Sequence, residues 1–259
     1  MKNGIEYAKA GFLVRFRYKA NSVLQVAGTI IIVLIQFYLW SAIGNNTDIG
    51  IENILMYTVI ARIVLSLYPD YTTINFVAEK ILKGEIVLYL VRPIKLPLIV
   101  FYNEMGNFLY NLVFIFFPSI LITWLFIDLP TDIISLKNIC YFIISFMLSY
   151  LISFLLSYFI ACLAIWIVNI WGILELYDAL LLLCGGTLLP LSIYPEIVQK
   201  VLIYLPFQSI FFTPLSILTG NDPLVSNPIL VQFLWIVSFV GINYILTQFI
   251  KKRTSFMGG

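Results

Sequence analysis

Long runs of apolar residues separated by short polar segments dominate this chain. Positions 20–47 contain no charged residue, and 37 consecutive uncharged residues run from position 138 to 174. A helix needs about 20 apolar residues to cross the hydrocarbon core of a bilayer. The pattern predicts six membrane-spanning helices. They are expected at about 20–44, 53–75, 98–127 and 228–250, with two more within 138–189 separated by a tight turn near 165–172.

The composition excludes a water-soluble fold. Hydrophobic residues make up 61% of the 259 residues and charged residues 11%, whereas soluble domains have roughly 45–50% and about 25%. The net charge of +2 is too balanced for a nucleic-acid binder, and the absence of histidine removes the commonest metal ligand and general base. The sequence therefore predicts an all-α polytopic membrane protein with no nucleic-acid partner, catalytic residue or metal site of its own.

The distribution of basic residues predicts the orientation. The two termini and the segment 76–95 together carry twelve basic and three acidic residues, whereas the loops on the opposite side carry two basic and six acidic ones. Basic residues are enriched in the cytoplasmic loops of membrane proteins. Both termini and segment 76–95 are therefore expected in the cytoplasm.

The N-terminal segment 1–20 is expected to be amphipathic. Ile5, Ala8, Phe12 and Phe16 recur at helical spacing, close to basic residues. Such a stretch can lie in the membrane interface with its apolar side buried. The alternative is a basic stop signal that only fixes the orientation.

Segment 76–95 mixes apolar and charged residues and is also expected to be amphipathic. Gly84 is expected to end one short helix, and Arg92-Pro93 to end the next. An amphipathic helix on the cytoplasmic face can dock into the groove of a partner protein. The alternative is a connector that lies on the surface without a partner.

Segment 184–227 is almost uncharged and contains five of the eleven prolines. It is too short to cross a bilayer twice, so it predicts re-entrant or interfacial half-helices, which membranes tolerate only where protein or water surrounds the backbone. The alternative is an apolar extracellular cap. The expected outer-gate residues are Gly185, Gly186, Pro190, Pro195, Pro206 and Pro214.

These segments resemble the type-2 ATP-binding-cassette (ABC) exporter permeases, and more closely the bacterial branch of uncharacterised ABC transport-system permeases that occur as paired subunits. Gly84-Glu85-Ile86 followed by Leu90-Val91-Arg92-Pro93 is similar to the branch's G-E-I…L-L-R-P signature. The later segment matches its G-G…P-L…P…P-F…P…G run. The matching residues there are Gly185-Gly186, Pro190-Leu191, Pro195, Pro206-Phe207, Pro214 and Gly220.

The resemblance covers essentially the whole chain and implies a single permease domain over 1–259. It implies an elbow helix at 1–20, a coupling helix within 76–95 and an extracellular re-entrant segment at 184–227. It also implies separate ABC ATPase subunits that hold ATP and Mg, and a second permease subunit that is a paralogue or a copy of this chain. The sequence agrees in lacking the G-x-x-x-x-G-K-[ST] loop that holds nucleotide phosphates. The residues expected to contact the ATPase are Glu79, Leu82, Lys83, Gly84, Glu85, Ile86, Arg92 and Pro93.

Charged residues inside the apolar runs predict an intramembrane ion pair. Arg62 lies in the second expected span, and Glu175 and Asp178 lie on one face of the fifth. Charges within a bilayer are costly and are usually paired. Arg62 is therefore expected to pair with Glu175 or Asp178, within the subunit or across a dimer, in a structural role or in contact with substrate.

The function expected from these observations is export of an amphipathic or hydrophobic compound (a drug, antibiotic, peptide or lipid) across the bacterial cytoplasmic membrane. One alternative is a self-sufficient secondary transporter or channel, with Arg62, Glu104, Glu175 and Asp178 as candidate pathway residues. Another is an intramembrane enzyme that uses Glu175 and Asp178 as paired carboxylates. Membrane lipids are expected partners in every case.

Overall fold

The computed structural model describes residues 2–44, 52–90, 95–127, 135–167, 169–220 and 224–257, and these residues form thirteen α-helices and no strand. The helices are α1 (Lys2–Arg17), α2 (Lys19–Gly44), α3 (Glu52–Leu65), α4 (Tyr71–Leu82), α5 (Ile86–Leu90), α6 (Leu96–Asn111), α7 (Phe117–Phe126), α8 (Leu136–Cys162), α9 (Trp171–Cys184), α10 (Glu196–Leu202), α11 (Pro206–Ile210), α12 (Phe212–Thr219) and α13 (Pro228–Met257). A π-helical stretch, Leu112–Phe116, joins α6 to α7.

Four helical runs of the described chain are long and apolar enough to cross a membrane: Lys19–Ile43, Leu96–Phe126, Leu136–Ile165 and Pro228–Lys252. The chain is therefore an all-α polytopic membrane protein, as predicted. Helices α3 and α9 have 14 residues each. At 1.5 Å per residue they are about 21 Å long, shorter than the roughly 30 Å hydrocarbon core. The six-span arrangement therefore stays a prediction.

The prediction of one continuous span over 53–75 is wrong. Helix α3 ends at Leu65, and a turn leads to α4, which begins at Tyr71. Pro69 disfavours helical geometry at Tyr68, and the Asp70 side chain then caps α4 by accepting a hydrogen bond from the Thr72 backbone N–H at 2.9 Å. The break expected near 165–172 is present between α8 and α9.

The π-helical stretch ends at Phe116, two residues before Pro118, in the helical run Leu96–Phe126. Proline has no backbone N–H, so the hydrogen bond that residue 118 would donate to the preceding turn is lost. A π-helical turn accommodates such a break without ending the helix. The run therefore continues through the proline as one apolar element.

Helix α8 occupies the centre of the fold and packs against α13, α12, α4 and α11. Ser145, Ser149, Ser153 and Ser157 recur every fourth residue and are at most 1% exposed. Small residues let membrane helices approach closely and can also hydrogen-bond across the contact. This serine row therefore allows neighbouring elements to approach one side of α8 closely.

Helix α1 is separate from α2 and packs along α6 through glycines. A Cβ atom on Gly106 would overlap the backbone carbonyl of Ala8, and one on Gly11 would overlap that of Asn103. Ile5, one of the residues on the expected apolar side of α1, is 68% exposed. The side of α1 that packs on α6 therefore coincides only partly with the expected apolar side. A glycine-lined side packs on protein and leaves Ile5 outward. The position of α1 relative to the bilayer stays a prediction.

Candidate coupling element and outer segment

Helices α4 and α5, with the turn between them, form what we call the coupling element, residues 71–90. Gly84 has a φ of +72°, a left-handed conformation that favours glycine at helix ends. The Gly84 backbone N–H donates to the carbonyl of Ile81 at 3.1 Å, and that of Lys83 donates to Glu79 at 2.9 Å. Gly84 ends the first short helix, as the sequence indicates.

One side of the coupling element belongs to the hydrophobic core of the chain itself. Val77, Ala78 and Ile81 of α4 are buried there, together with Ile86 of α5. Ile86, which was expected to contact an ATPase, is 1% exposed and packs in the core of the permease itself, so its contact with an ATPase stays a prediction. A five-residue helix after a glycine turn has no periodicity long enough to reveal which side faces inward.

The opposite side carries exposed apolar and charged residues. Leu82 is 45% exposed and Leu88 is 65% exposed. Lys83 pairs with Glu79, and Lys80 pairs with Glu85 at 2.6 Å. The Lys83 hydrogen bond lowers the pKa of the exposed Glu79 carboxyl, and the Glu79 carboxylate raises the pKa of Lys83. The structure thus places Glu79, Leu82, Lys83, Gly84 and Glu85 together; Arg92 and Pro93 lie outside the described residues.

The start of the coupling element is joined to α1 and α6 by a cluster of polar side chains. Arg15 of α1 forms an ion pair with Asp70, the N-cap of α4. The same guanidinium donates a hydrogen bond to the Asn111 side-chain oxygen at 3.0 Å. The Asn111 amide in turn donates to the backbone carbonyl of Ser66 at 2.9 Å. Displacement of α4 therefore acts directly on α1 and α6.

Glu104 makes a second connection between α4 and α6. Its carboxylate is 2% exposed and accepts hydrogen bonds from the Thr73 hydroxyl and, at 3.1 Å, from the Asn107 amide. The sequence marks Glu104 as a charge within an apolar run and a candidate pathway residue. In the structure the Glu104 carboxylate is hydrogen-bonded within the fold. The packing of α4 on α6 brings the Thr73 hydroxyl within hydrogen-bond distance of it.

The outer segment, residues 184–220, consists of short helices whose starts coincide with prolines. Pro195 directly precedes α10, Pro206 is the first residue of α11, and Pro214 lies in the first turn of α12. Proline suits these positions because no helical carbonyl needs its missing N–H. Pro190 likewise precedes a short 3₁₀ turn, Leu191–Ile193.

Two glycines shape the beginning of the outer segment. Gly185 follows the last residue of α9, and Gly186 has a φ of +78°. The Tyr57 hydroxyl of α3 donates a hydrogen bond to the Gly186 carbonyl at 2.8 Å. This contact fixes the turn against α3, so that the outer segment folds back onto the bundle. The outer-gate role of these glycines and prolines stays a prediction.

The outer segment divides into an exposed part and a buried part. In α10, Ile197 is 79% exposed, and Val201, one turn later, is 59% exposed. In contrast, most residues of α11 and α12 are buried, and both helices pack against α8. Helices α11 and α12 are therefore the candidates for the half-helices expected from the sequence, whose re-entrant character stays a prediction, while α10 lies on the surface.

Neutral polar side chains hold α11 in place. The Gln232 amide of α13 donates to the Ser209 carbonyl at 2.9 Å, and its oxygen accepts a hydrogen bond from the Ser145 hydroxyl at 3.0 Å. The Tyr68 hydroxyl contacts both the Ser149 hydroxyl and the Ile210 carbonyl at 2.7 Å. These residues were not predicted from the sequence. Their signal was a glutamine in the first turns of an apolar helix and evenly spaced serines within another.

The structure does not bring the expected intramembrane ion pair together within the subunit. Glu175 and Asp178 are exposed on α9, which packs mainly against α11, and Arg62 lies in the last turn of α3. Among the described residues, no ion pair joins Arg62 to either carboxylate. Arg62 and α9 are separated because α3 contacts α2 and α12 instead. Pairing across a dimer stays a prediction.

A cavity of about 510 Å³ opens between α6, α8 and α13. Its wall is largely apolar and includes Phe101, Phe154 and Ile236. Lys95, at the start of α6, and Lys251, near the end of α13, also line it. The cavity therefore combines an apolar interior with basic groups at the helix ends.

Comparison with known protein families identifies one match that covers nearly the whole chain. Residues 22–255 match the family described as ABC-2 family transporter protein. No curated protein sequence matches the chain. Proteins of this family are membrane subunits without an ATPase site, and they generally work with an ABC ATPase. The family predicted from the sequence motifs is confirmed: the chain belongs to the ABC-2 transporter family and is a multi-pass membrane permease subunit.

Proposed function

We propose that this permease exports an amphipathic or hydrophobic compound, driven by ATP hydrolysis on a separate ABC ATPase that binds the coupling element. The observation that carries the proposal is the two-sided character of residues 71–90. One side is buried in the permease core, whereas Leu82 and Leu88 on the other are exposed among charged residues. Exposed apolar anchors surrounded by charges suit a protein groove, in which the charges fix register more than affinity.

Force applied to the coupling element has two routes into the spans. The Arg15–Asp70 ion pair connects α4 to α1, and Glu104 connects α4 to α6 through Thr73. Since these contacts lie at the first turn of α4, a push on the coupling element moves α1 and α6 with it. ATP and Mg belong to the partner ATPase in this mechanism.

The large cavity supports an amphipathic cargo. Its apolar wall suits a hydrocarbon or aromatic group, and Lys95 and Lys251 suit an acidic or polar end. A membrane lipid has the same chemistry and is an expected partner at this surface.

The outward face of α9 supports a second permease subunit. Glu175 and Asp178 are exposed there beside Leu176, which is 59% exposed. Carboxylates on a helix face against lipid are costly, so a second subunit covers this face in the proposed assembly. The proposed assembly lies in the bacterial cytoplasmic membrane, and the basic residues of the termini and the coupling element support an orientation with both termini inside.

The test is co-expression of the chain with the ABC ATPases encoded in its own genome, followed by purification through the permease. A Leu82→Asp, Leu88→Asp double variant is expected to remain inserted and to lose both the copurifying ATPase and transport. The matched control is Leu136→Asp, because Leu136 is 78% exposed in the first turn of α8, at the opposite end of that helix from the coupling element. The control should keep the ATPase. If the well-folded double variant also keeps it, coupling through residues 71–90 is wrong.

A further inference from the structure

A second, smaller cavity of about 270 Å³ lies where α1, α2, α3 and α6 meet. Two arginines line it, Arg15 from α1 and Arg62 from the last turn of α3. Asp70 is the carboxylate that lines it, and Thr29 and Gln25 of α2 contribute neutral polar groups. The cavity is separate from the apolar cavity and from the exposed side of the coupling element.

The charges around this cavity do not balance. Arg15 is already engaged by Asp70 and by the Asn111 side chain. Within the described chain Arg62 has no carboxylate within ion-pair distance, and its Nε atom is buried without a hydrogen-bond partner. Arg62 as a whole is only partly buried, but a buried donor such as its Nε–H is costly when it is left without an acceptor. The negative end of the α3 dipole offsets only part of that cost, since its effect is modest.

We propose that this cavity binds a phosphate group, with Arg62 as its principal ligand. The guanidinium fork matches the oxygens of a phosphate and binds them by short charge-assisted hydrogen bonds. Thr29, which is 7% exposed, places a hydroxyl on the same cavity wall. A bound phosphate would supply the missing acceptor for Arg62 and balance the second arginine charge.

The phosphate can come from a phospholipid headgroup or from free phosphate. Because α2 is an apolar membrane helix, an anionic phospholipid is the source expected at the highest local concentration. The site adjoins the Arg15–Asp70 ion pair at the start of α4. A bound phosphate would therefore affect the Arg15–Asp70 contact at the start of the coupling element. The relevance of that effect to transport rests on the proposed function, whereas the binding itself does not.

The experiment is native mass spectrometry of the full chain purified in detergent. Phosphatidylglycerol, phosphatidylcholine and inorganic phosphate are added in separate measurements. We expect the wild-type chain to retain the anionic lipid, and Arg62→Gln to weaken that retention about tenfold, the scale of a lost charge-assisted contact. The matched control is Arg17→Gln, because Arg17 is exposed on the neighbouring helix and does not line the cavity.

The three ligands separate the possible sources. Retention of phosphatidylglycerol over phosphatidylcholine supports a lipid headgroup, and Arg62-dependent retention of inorganic phosphate alone supports the free ion. Equal retention of every ligand by Arg62→Gln, Arg17→Gln and wild type would overturn the proposal. So would an Arg62→Gln variant that loses the dimer and keeps the phosphate ligand, because Arg62 would then pair with a carboxylate of a second subunit. Loss of the ATPase in a separate assay has no bearing on these binding results.

Discussion

The coupling element and the outer segment are both chains of short helices interrupted by glycine or proline, but different chemistry holds each one. Beside its apolar packing, the coupling element has polar contacts that involve charged groups: Asp70 with Arg15, and Glu104 with Thr73. The outer segment is held by neutral groups, with Gln232 bound to the backbone of Ser209. In both regions the buried backbone and side chains still find partners, as an apolar environment requires.

This difference indicates how each region can respond to its surroundings. Ion pairs weaken with salt and depend on pH, whereas buried amide and hydroxyl contacts respond to neither within the ordinary range. The stability of the coupling element should therefore change with salt and pH, whereas that of the outer segment should not. The following substitutions test that contrast, beginning with the largest expected effect.

Gly106→Leu should have the largest effect, because it forces α1 away from α6. The separation also disturbs the Arg15–Asp70 ion pair, through which α1 supports the coupling element. The new side chain would overlap the Ala8 carbonyl, and overpacking against backbone costs about 3 kcal/mol or more. We expect loss of the monodisperse peak in fluorescence-detected size-exclusion chromatography. Gly241→Leu is the control, since a Cβ there meets nothing within 4 Å. An undisturbed Gly106→Leu would show that the α1–α6 contact is dispensable.

Gln232→Ala should destabilise the outer segment by about 2 kcal/mol, because it leaves the Ser145 hydroxyl and the Ser209 carbonyl without partners. The loss should be the same in low and high salt. Thermal unfolding in detergent measures it, with the exposed Gln248→Ala on the same helix as control. A marked salt dependence would contradict the assignment of this region to neutral contacts.

Asp70→Ala should cost about 1–2 kcal/mol, because it removes the α4 cap and the ion pair to Arg15. Asp70→Asn keeps a capping oxygen and should recover roughly half of that loss. The difference between wild type and Asp70→Asn should shrink as salt is added, since only the ion pair is screened, whereas the difference between Asp70→Asn and Asp70→Ala reports the cap and should stay constant. Thermal unfolding across a salt series tests this, and equal losses at every salt concentration would argue that the charge contributes nothing.

Lys83→Gln should have the smallest effect and should alter only the pH dependence. Lys83 holds the pKa of Glu79 below its ordinary value of 4.5. The stabilisation is therefore fully present above that value and is lost as the pH falls through the lower pKa of the folded state. The wild-type advantage over Lys83→Gln should decline in unfolding curves recorded below pH 4.5 and disappear once the pH is below the folded-state pKa of Glu79. An advantage that grows on acidification would contradict this sign.

The sequence predicted features that depend on local chemistry and missed those that depend on tertiary contact. Gly84 ended a helix as expected, because left-handed geometry is a property of the residue. Pro69 broke the second expected span, although the apolar run around it continues. The inward direction of Ile86 and the hydrogen bonds of Gln232 could not be predicted, since both depend on which helices surround them.

Tyr68 belongs to the turn between α3 and α4, yet its hydroxyl is bonded at 2.7 Å to both the α8 hydroxyl of Ser149 and the α11 carbonyl of Ile210. A hydrogen bond of this kind is lost once the two atoms separate by about 1 Å more. The turn therefore cannot move by that distance relative to α11 unless α11 travels with it or the bond is released. The Tyr68 hydroxyl thus limits how far the turn and α11 can move independently of each other. A larger displacement of the turn has two distinguishable outcomes: α11 moves with it, or the hydrogen bond to the Ile210 carbonyl breaks.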